Sequence, residues 1–189
     1  MEAPPRRVSI VGSTGTGKTT YARELALALG VPHTELDALA WGPNWTLADA
    51  ETLQARVRTA IAGDAWVVDG NYGGRGARQL VWARADTIIW LDFSLRVIYA
   101  NLWRRTVARL RDKQELWPGT GNRETVRNAF FSRDSLFVWA LRTYWRRKRN
   151  YARLFASPDV AHARTLPFRT PAEARAWIET ERRAASARI

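Results

Sequence analysis

Two rhythms of apolar residues alternate along the chain. Short runs rich in β-branched residues recur at 7–12 (RVSIVG), 65–70 (AWVVDG) and 87–93 (TIIWLDF) and predict buried strands. The last is almost continuously apolar, as a strand covered on both faces would be. Weaker strand patterns stand at 33–37 (HTELD), ending in Asp37, and at 163–168 (ARTLPF). Between them the spacing turns helical. Tyr21, Leu25 and Leu29 mark one face of a helix over 18–29, with Gly30 as its stop. Leu53, Val57 and Ile61 mark another, which Thr46 and Asp49 open as an N-cap with an acidic first turn. Ser94 caps a helix through about Arg111. Thr170, Pro171 and Glu173 supply a cap, a first-turn proline and a capping-box acid for the last helix.

Strands that alternate with helices imply crossover units and a parallel sheet with helices on both faces. Ligands bind such sheets beyond the carboxyl ends of the strands. Gly12, Asp37 and Asp69 end the first three strands, so all three are expected at one crevice. Residues 112–122, with Pro118, Gly119 and Gly121, read as a loop, and a basic helical region follows over about 123–156. Within it Phe137, Leu141, Tyr144, Tyr151 and Phe155 form an apolar stripe, and Arg142, Arg146, Arg149 and Arg153 a separate basic one. The first stripe is expected to pack on the domain and the second to face outward. No internal repeat or low-complexity linker interrupts the 189 residues, which fit one domain.

Charge changes this picture. Of the net +12, a net +11 lies between Arg96 and Arg153, with 15 Lys+Arg against 4 Asp+Glu. A block of this kind predicts an anionic partner: nucleic acid, anionic lipid or a polyphosphate ligand. Arg outnumbers Lys 27 to 3, and Arg suits bidentate phosphate contacts. No cysteine is present, which excludes disulfides and thiolate metal sites, and two histidines make a zinc site improbable. No signal peptide and no apolar stretch of about 20 residues is apparent, so the expected location is the cytoplasm, without a membrane span.

The chemistry is carried by residues 12–19, GSTGTGKT, a full match to G-x-x-x-x-G-K-[ST] between a strand and a helix. Gly12, Gly15 and Gly17 let the chain curl through Ser13, Thr14 and Thr16 so that backbone N–H groups face a phosphate. The helix that starts near Lys18 adds the positive end of its dipole. Lys18 is placed to reach the β- and γ-phosphates of ATP, Thr19 to give an oxygen to Mg²⁺, and Thr20 to lie near the α-phosphate. For Asp69 two readings stand, a Mg²⁺ ligand or a turn aspartate before Gly70. For Asp37 they are an acceptor or metal-water partner and a loop organiser.

The segments GSTGTGKTT, ELDALAWGPNW, WVVDGNY and ADTIIWLDF resemble the adenylate-kinase-like P-loop kinases, and within them the DNA topology modulation protein-related group. The resemblance covers roughly residues 6–111, with a weaker echo at 163–178. It implies a three-layer α/β sandwich with a five-stranded parallel sheet and a short Arg-rich lid after the fourth strand. The lid and basic insert would span about 104–156. DGNYGGR at 69–75 is similar to the Asp-Gly-Phe-Pro-Arg segment of adenylate kinases, although Asn71-Tyr72 replace Phe-Pro and Arg75 lies two residues late. By that match Asp69 serves Mg²⁺ and Arg75 contacts the acceptor.

The acceptor is expected over Asp37, Trp41, Trp45, Asn71 and Tyr72, with Arg75, Arg78 and Arg84 as candidate phosphate clamps. Trp41 and Trp45 either stack on a ring or pack the loop. Arg104, Arg105 and Arg109, joined by Arg123 and Arg127 across the loop, are candidates to stabilise charge in transit. The expected activity is ATP-dependent phosphoryl transfer to a small acceptor, a nucleoside or nucleotide. The alternative is an ATP-binding regulator that binds nucleic acid through the basic block. A basic amphipathic helix on an anionic membrane is a third, weaker reading.

Overall fold

The computed structural model describes residues 5–112, 115, 117, 119–122 and 136–186. Five strands form one sheet: β1 (Arg7–Gly12), β2 (His33–Glu35), β3 (Trp66–Asp69), β4 (Thr87–Leu91) and β5 (Arg164–Phe168). Their order is β2-β3-β1-β4-β5 and every pairing is parallel. All strand ends that carry chemistry therefore emerge on one edge. Glu35 stands in register with Asp69, and Asp69 with Ile10.

The helices are α1 (Lys18–Leu29), α2 (Leu36–Ala40), α3 (Ala50–Ala60), α4 (Ala77–Arg84), α5 (Leu95–Asp112), α6 (Leu136–Phe155) and α7 (Pro171–Ser186). The pleat sorts the strand residues into two cores. Val8, Ile10, Val67, Ile89 and Leu91 face α1 and α7, while Val11, Val68, Ile88 and Trp90 face α3, α4 and the C-terminal half of α6. Val8, Ile10 and Val11 are fully buried, and each such side chain stabilises the fold by roughly 1.5–3 kcal/mol. Pro167 sits in β5, an edge strand, where its missing N–H leaves no ladder bond unmade.

The caps follow the sequence with one shift. Gly30, at φ 67°, ends α1. Glu173 N–H donates to Thr170 Oγ1 and the Glu173 carboxylate accepts from Arg169 N–H, closing the box that opens α7. The cap of α3 is Asp49 alone, which accepts from Thr52 N–H at 2.8 Å, while the Thr46 hydroxyl donates to Pro43 O.

Two further differences bear on function. β2 stops at Glu35, and Asp37 falls in the first turn of α2 instead of at a strand end. The sequence pattern assigns no helix to 77–84, because Gly73, Gly74 and Gly76 read as loop, yet Ala77, Val81 and Trp82 bury one face of α4.

α6 is the helix of the aromatic and basic stripes. Tyr144 and Tyr151 are buried as the stripe predicts, but Leu141 is 52% exposed and lies outside it. Tyr151 and Phe155 pack on Trp90, and Ala140 and Tyr144 pack on Ile98 and Leu102 of α5. Among the described residues no helix is long and apolar enough to cross a membrane.

Candidate functional site

The loop between β1 and α1 is closed from within. The Ser13 carbonyl accepts from Thr16 N–H at 3.3 Å, Thr16 Oγ1 at 2.8 Å and Lys18 Nζ at 3.0 Å. Gly15 has φ 80°, and a Cβ there would lie 2.7 Å from Leu102 Cγ, so α5 can approach the loop only against glycine. At Gly17, φ 82°, a Cβ would meet nothing within 4 Å, so the loop faces open space where a phosphate would approach. Asn101 of α5 donates to Gly15 O at 3.0 Å and accepts from Arg104. Thr14 and the exposed Thr20 complete the turn.

The strand edge supplies acids. Asp69 is buried, accepting from Thr19 Oγ1 at 2.9 Å through Oδ2 and meeting His33 Nε2 at 2.7 Å through Oδ1. Glu35 ends the next strand. Asp37, one turn into α2, accepts from the Tyr72 hydroxyl at 2.5 Å. Burial pushes the Glu35 carboxyl up, and the charges of Asp69 and Asp37 push it further, against Arg23 and a hydrogen bond from Trp117. Burial also raises the Tyr72 hydroxyl, reinforced by Asp37, which keeps it a donor.

A raised carboxyl binds its proton more tightly in the folded state, so ionised Glu35 opposes folding at neutral pH. Glu35→Gln is therefore expected to raise the Tm at pH 7–8, with the gain shrinking as pH falls towards the ordinary Glu value of 4.5. Thermal melts across pH check this, and a lower Tm at pH 7.5 would contradict it.

Lys18 stands between opposed charges. Burial lowers its ammonium pKa, Asp69 and Asp37 hold it up, and Arg147 and Arg105 push it down again. Arg147 belongs to α6, within the basic block but in neither of the two stripes that the sequence marks there. Three anchors lay that helix across the strand ends. Tyr151 donates to Asn71 Oδ1 at 2.6 Å, Lys148 Nζ meets the buried Asp92 at 3.0 Å, and Tyr144 donates to Phe93 O at 3.4 Å. One turn before Tyr151, Arg147 thus turns toward the crevice.

The Arg147 guanidinium stacks on Trp139 at 4.3 Å; burial lowers its pKa, Asp37 holds it up, and its own charge pushes the Lys18 ammonium down. Its Nη1 is buried without a hydrogen-bond partner among the described residues. An unmade buried bond costs about 1–3 kcal/mol, so this donor is poised for an acceptor that enters the site.

Other expected residues divide by position. Arg104 and Arg105 line a cavity of about 560 Å³ together with Gly15, Gly17, Thr20, Val97, Pro171 and Arg175. Arg109 is not among its lining residues. Arg123 and Arg127 lie outside the described residues. Trp41, Trp45 and Trp117 pack as one cluster, with Trp41 and Trp117 stacked at 6.2 Å. Asn122 ties this cluster to its loop through Gly42 O and Trp45 N–H. Asn44 and Trp45 have φ of 54° and 58°, conformations that non-glycine residues hold only when their surroundings impose them.

Asn71 faces the loop rather than an acceptor. Its amide bridges Gly12 N–H and O, at 3.4 and 2.8 Å, and takes the Tyr151 hydroxyl. Arg75 donates to Ala48 O, and Arg78 lies over Trp82 at 5.1 Å. Arg84 donates to Ala62 O and Gly63 O, before β3 begins, at the opposite end of the sheet.

Sequence reading passes over Glu35, His33 and Arg147. Had β2 been ended at Glu35, alternation would have paired that carboxylate with Asp69. Arg147 is visible as the residue one turn before Tyr151 on the buried side of the helix.

No protein-family model matches the sequence, and no curated protein matches it. Solved structures do. A gluconokinase from Sinorhizobium meliloti 1021 superposes with a TM-score of 0.54 at 20% identity, over 99% of this chain and 94% of that one. A shikimate kinase from Bacteroides thetaiotaomicron gives 0.53 at 14% identity, over 96% and 99%. A shikimate kinase from Acinetobacter baumannii, solved with shikimate, gives 0.57 at 16% identity, over 93% and 89%. At these identities what is shared is architecture: the chain has the P-loop kinase fold.

Proposed function

We propose that this protein transfers the γ-phosphoryl group of ATP to a hydroxyl of a small acceptor held over Asp37. The carrying observation is the loop that holds Lys18 Nζ on Ser13 O at 3.0 Å and sets Thr19 Oγ1 2.9 Å from the buried Asp69, where burial lowers the Lys18 ammonium pKa, Asp69 and Asp37 hold it up, and Arg147 and Arg105 push it down. Phosphoryl transfer asks for little besides such positioning and charge. The cavity beside the loop has the volume of a nucleoside site and ends on Pro171 and the arginines of α5, so the donor base belongs there.

Thr19 Oγ1 and Asp69 Oδ2, 2.9 Å apart, would hold Mg²⁺, which takes few protein oxygens and keeps its waters. The ion supplies charge neutralisation for the phosphates. His33 keeps the other Asp69 oxygen in place. Asp37 takes the acceptor hydroxyl proton as the new O–P bond forms and the bond to the leaving ADP oxygen breaks, while Lys18, Arg105 and Arg147 stabilise the charge of the group in transit. The acceptor class is a nucleoside or nucleotide, which the likeness of the GSTGTGKTT and WVVDGNY segments to adenylate-kinase-like proteins supports.

The test is an ATP-consumption screen over nucleosides, nucleotides and small hydroxyl compounds, with products identified by mass. We expect consumption that depends on an acceptor and a product heavier by one phosphoryl group. Hydrolysis indifferent to every acceptor would argue against a kinase.

A further inference from the structure

The outer flank of α6 carries a second basic concavity. A cavity of about 570 Å³ opens there, lined by Arg146, Arg147, Arg149, Asn150 and Arg153 among the described residues. No described carboxylate lines it. Arg146, Arg149 and Arg153 have no ion pair among the described residues, in contrast to Lys148, which Asp92 holds. Residues 146, 149, 150 and 153 recur at helical spacing, so their side chains share one flank. They span about 10 Å of helix, at about 1.5 Å per residue, enough for two neighbouring phosphate groups. Like charges held this close repel, and a bound anion relieves the repulsion.

Arg147 joins this concavity to the crevice. It lines the groove, and it stands one turn before Tyr151 and next to Lys148, which seat α6 on Asn71 and Asp92 at the strand ends. Of the arginines expected to clamp an acceptor phosphate, Arg75 is engaged on Ala48 O and Arg84 at the far end of the sheet, and Arg78 lies over Trp82 and against Gly73. The donor cavity is separate and shares no lining residue with the groove.

We infer that the α6 groove binds the phosphate-bearing end of the acceptor, so the acceptor is a compound that already carries a phosphate or diphosphate group besides the hydroxyl to be phosphorylated. The binding of an anion in the groove stands by itself. That the anion belongs to the acceptor rests on the kinase reading. Arg146, Arg149 and Arg153 grip the phosphate oxygens by charge-assisted hydrogen bonds, Asn150 adds a neutral donor, and Arg147 spans the distance to the hydroxyl over Asp37.

The test uses the full chain and inorganic pyrophosphate as probe, followed by calorimetry at low salt. Wild-type protein is expected to bind it at two sites, the loop around Lys18 and the groove. Lys18→Ala removes the first and leaves the second. Adding Arg146→Ala and Arg153→Ala to Lys18→Ala should then weaken the remaining site by roughly 10-fold or more, as loss of charged hydrogen bonds does. The same pair introduced alone should leave ATP affinity unchanged.

A single wild-type site that Lys18→Ala abolishes overturns the inference. So does a remaining site indifferent to the two arginines. Single-stranded oligonucleotide binding roughly 100-fold tighter than pyrophosphate through these arginines, with a steep salt dependence, would reassign the groove to nucleic acid. An intact groove in a protein that transfers phosphate to no acceptor would sink the kinase reading and leave the anion site standing.

Discussion

Lys18→Ala is expected to abolish the proposed acceptor-dependent transfer, with kcat falling by about 10³-fold or more, while circular dichroism and the elution volume stay those of the wild type. The magnitude follows from removing a preorganised cation, since single electrostatic donors of this kind are worth about 10²–10³ in rate. Fold retention follows from the local structure. Lys18 Nζ makes one hydrogen bond, to Ser13 O, and that carbonyl keeps both bonds from Thr16 when the amine is gone. Burial also disfavours the lysine's charge, so its removal relieves a cost. Steady-state transfer with purified variant decides the matter. A variant with wild-type kcat would end the proposal, because no other described cation sits inside the loop.

The loop was readable because its sequence is local. G-x-x-x-x-G-K-T between a strand and a helix dictates backbone curvature, and the curvature dictates where Lys18 and Thr19 stand, with no information from distant residues. The parallel sheet was readable for a similar reason, since apolar runs separated by helical spacing admit few topologies, although its order β2-β3-β1-β4-β5 was not. Asp69 came with its strand.

What could not be read depends on tertiary packing. Asp37 was expected at a strand end, but α2 begins at Leu36, which is buried against Gly70, where a Cβ would lie 2.6 Å from Leu36 Cβ. That close fit ends β2 at Glu35 and turns Asp37 toward Tyr72. Arg75 and Arg84 are engaged on the carbonyls of Ala48 and of Ala62 and Gly63, while Arg78 lies over Trp82 and against Gly73, a division that no spacing rule reports. Arg147 was hidden in a run of four cations whose members look alike in sequence. Only the anchors at Tyr144, Lys148 and Tyr151 set the helix rotation and so choose which arginine turns inward.

That rotation makes the last prediction specific to one position among many similar ones. Arg147→Ala is expected to lower kcat by about 10²–10³-fold with little change in the affinity for ATP, since a cation that meets the γ-phosphoryl group mainly during transfer acts on kcat. Arg147→Lys should recover only part of the loss, because an ammonium cannot reproduce the planar stack on Trp139 or the second donor at Nη1. Arg142→Ala, on the exposed face of the same helix, should leave kcat within about twofold, as surface charges away from a site do. The comparison separates a local role from a general loss of basic charge, since both variants remove one positive charge from α6. Arg147→Ala also leaves Tyr144, Lys148 and Tyr151 in place, so the helix stays seated and thermal melts should show a transition close to the wild type. Equal rates for Arg147→Ala and Arg142→Ala would mean that the buried guanidinium does no more than fill space beside Trp139. A selective loss at Arg147 would place this turn of α6, seated by Tyr151 on Asn71 and by Lys148 on Asp92, over the transferring group.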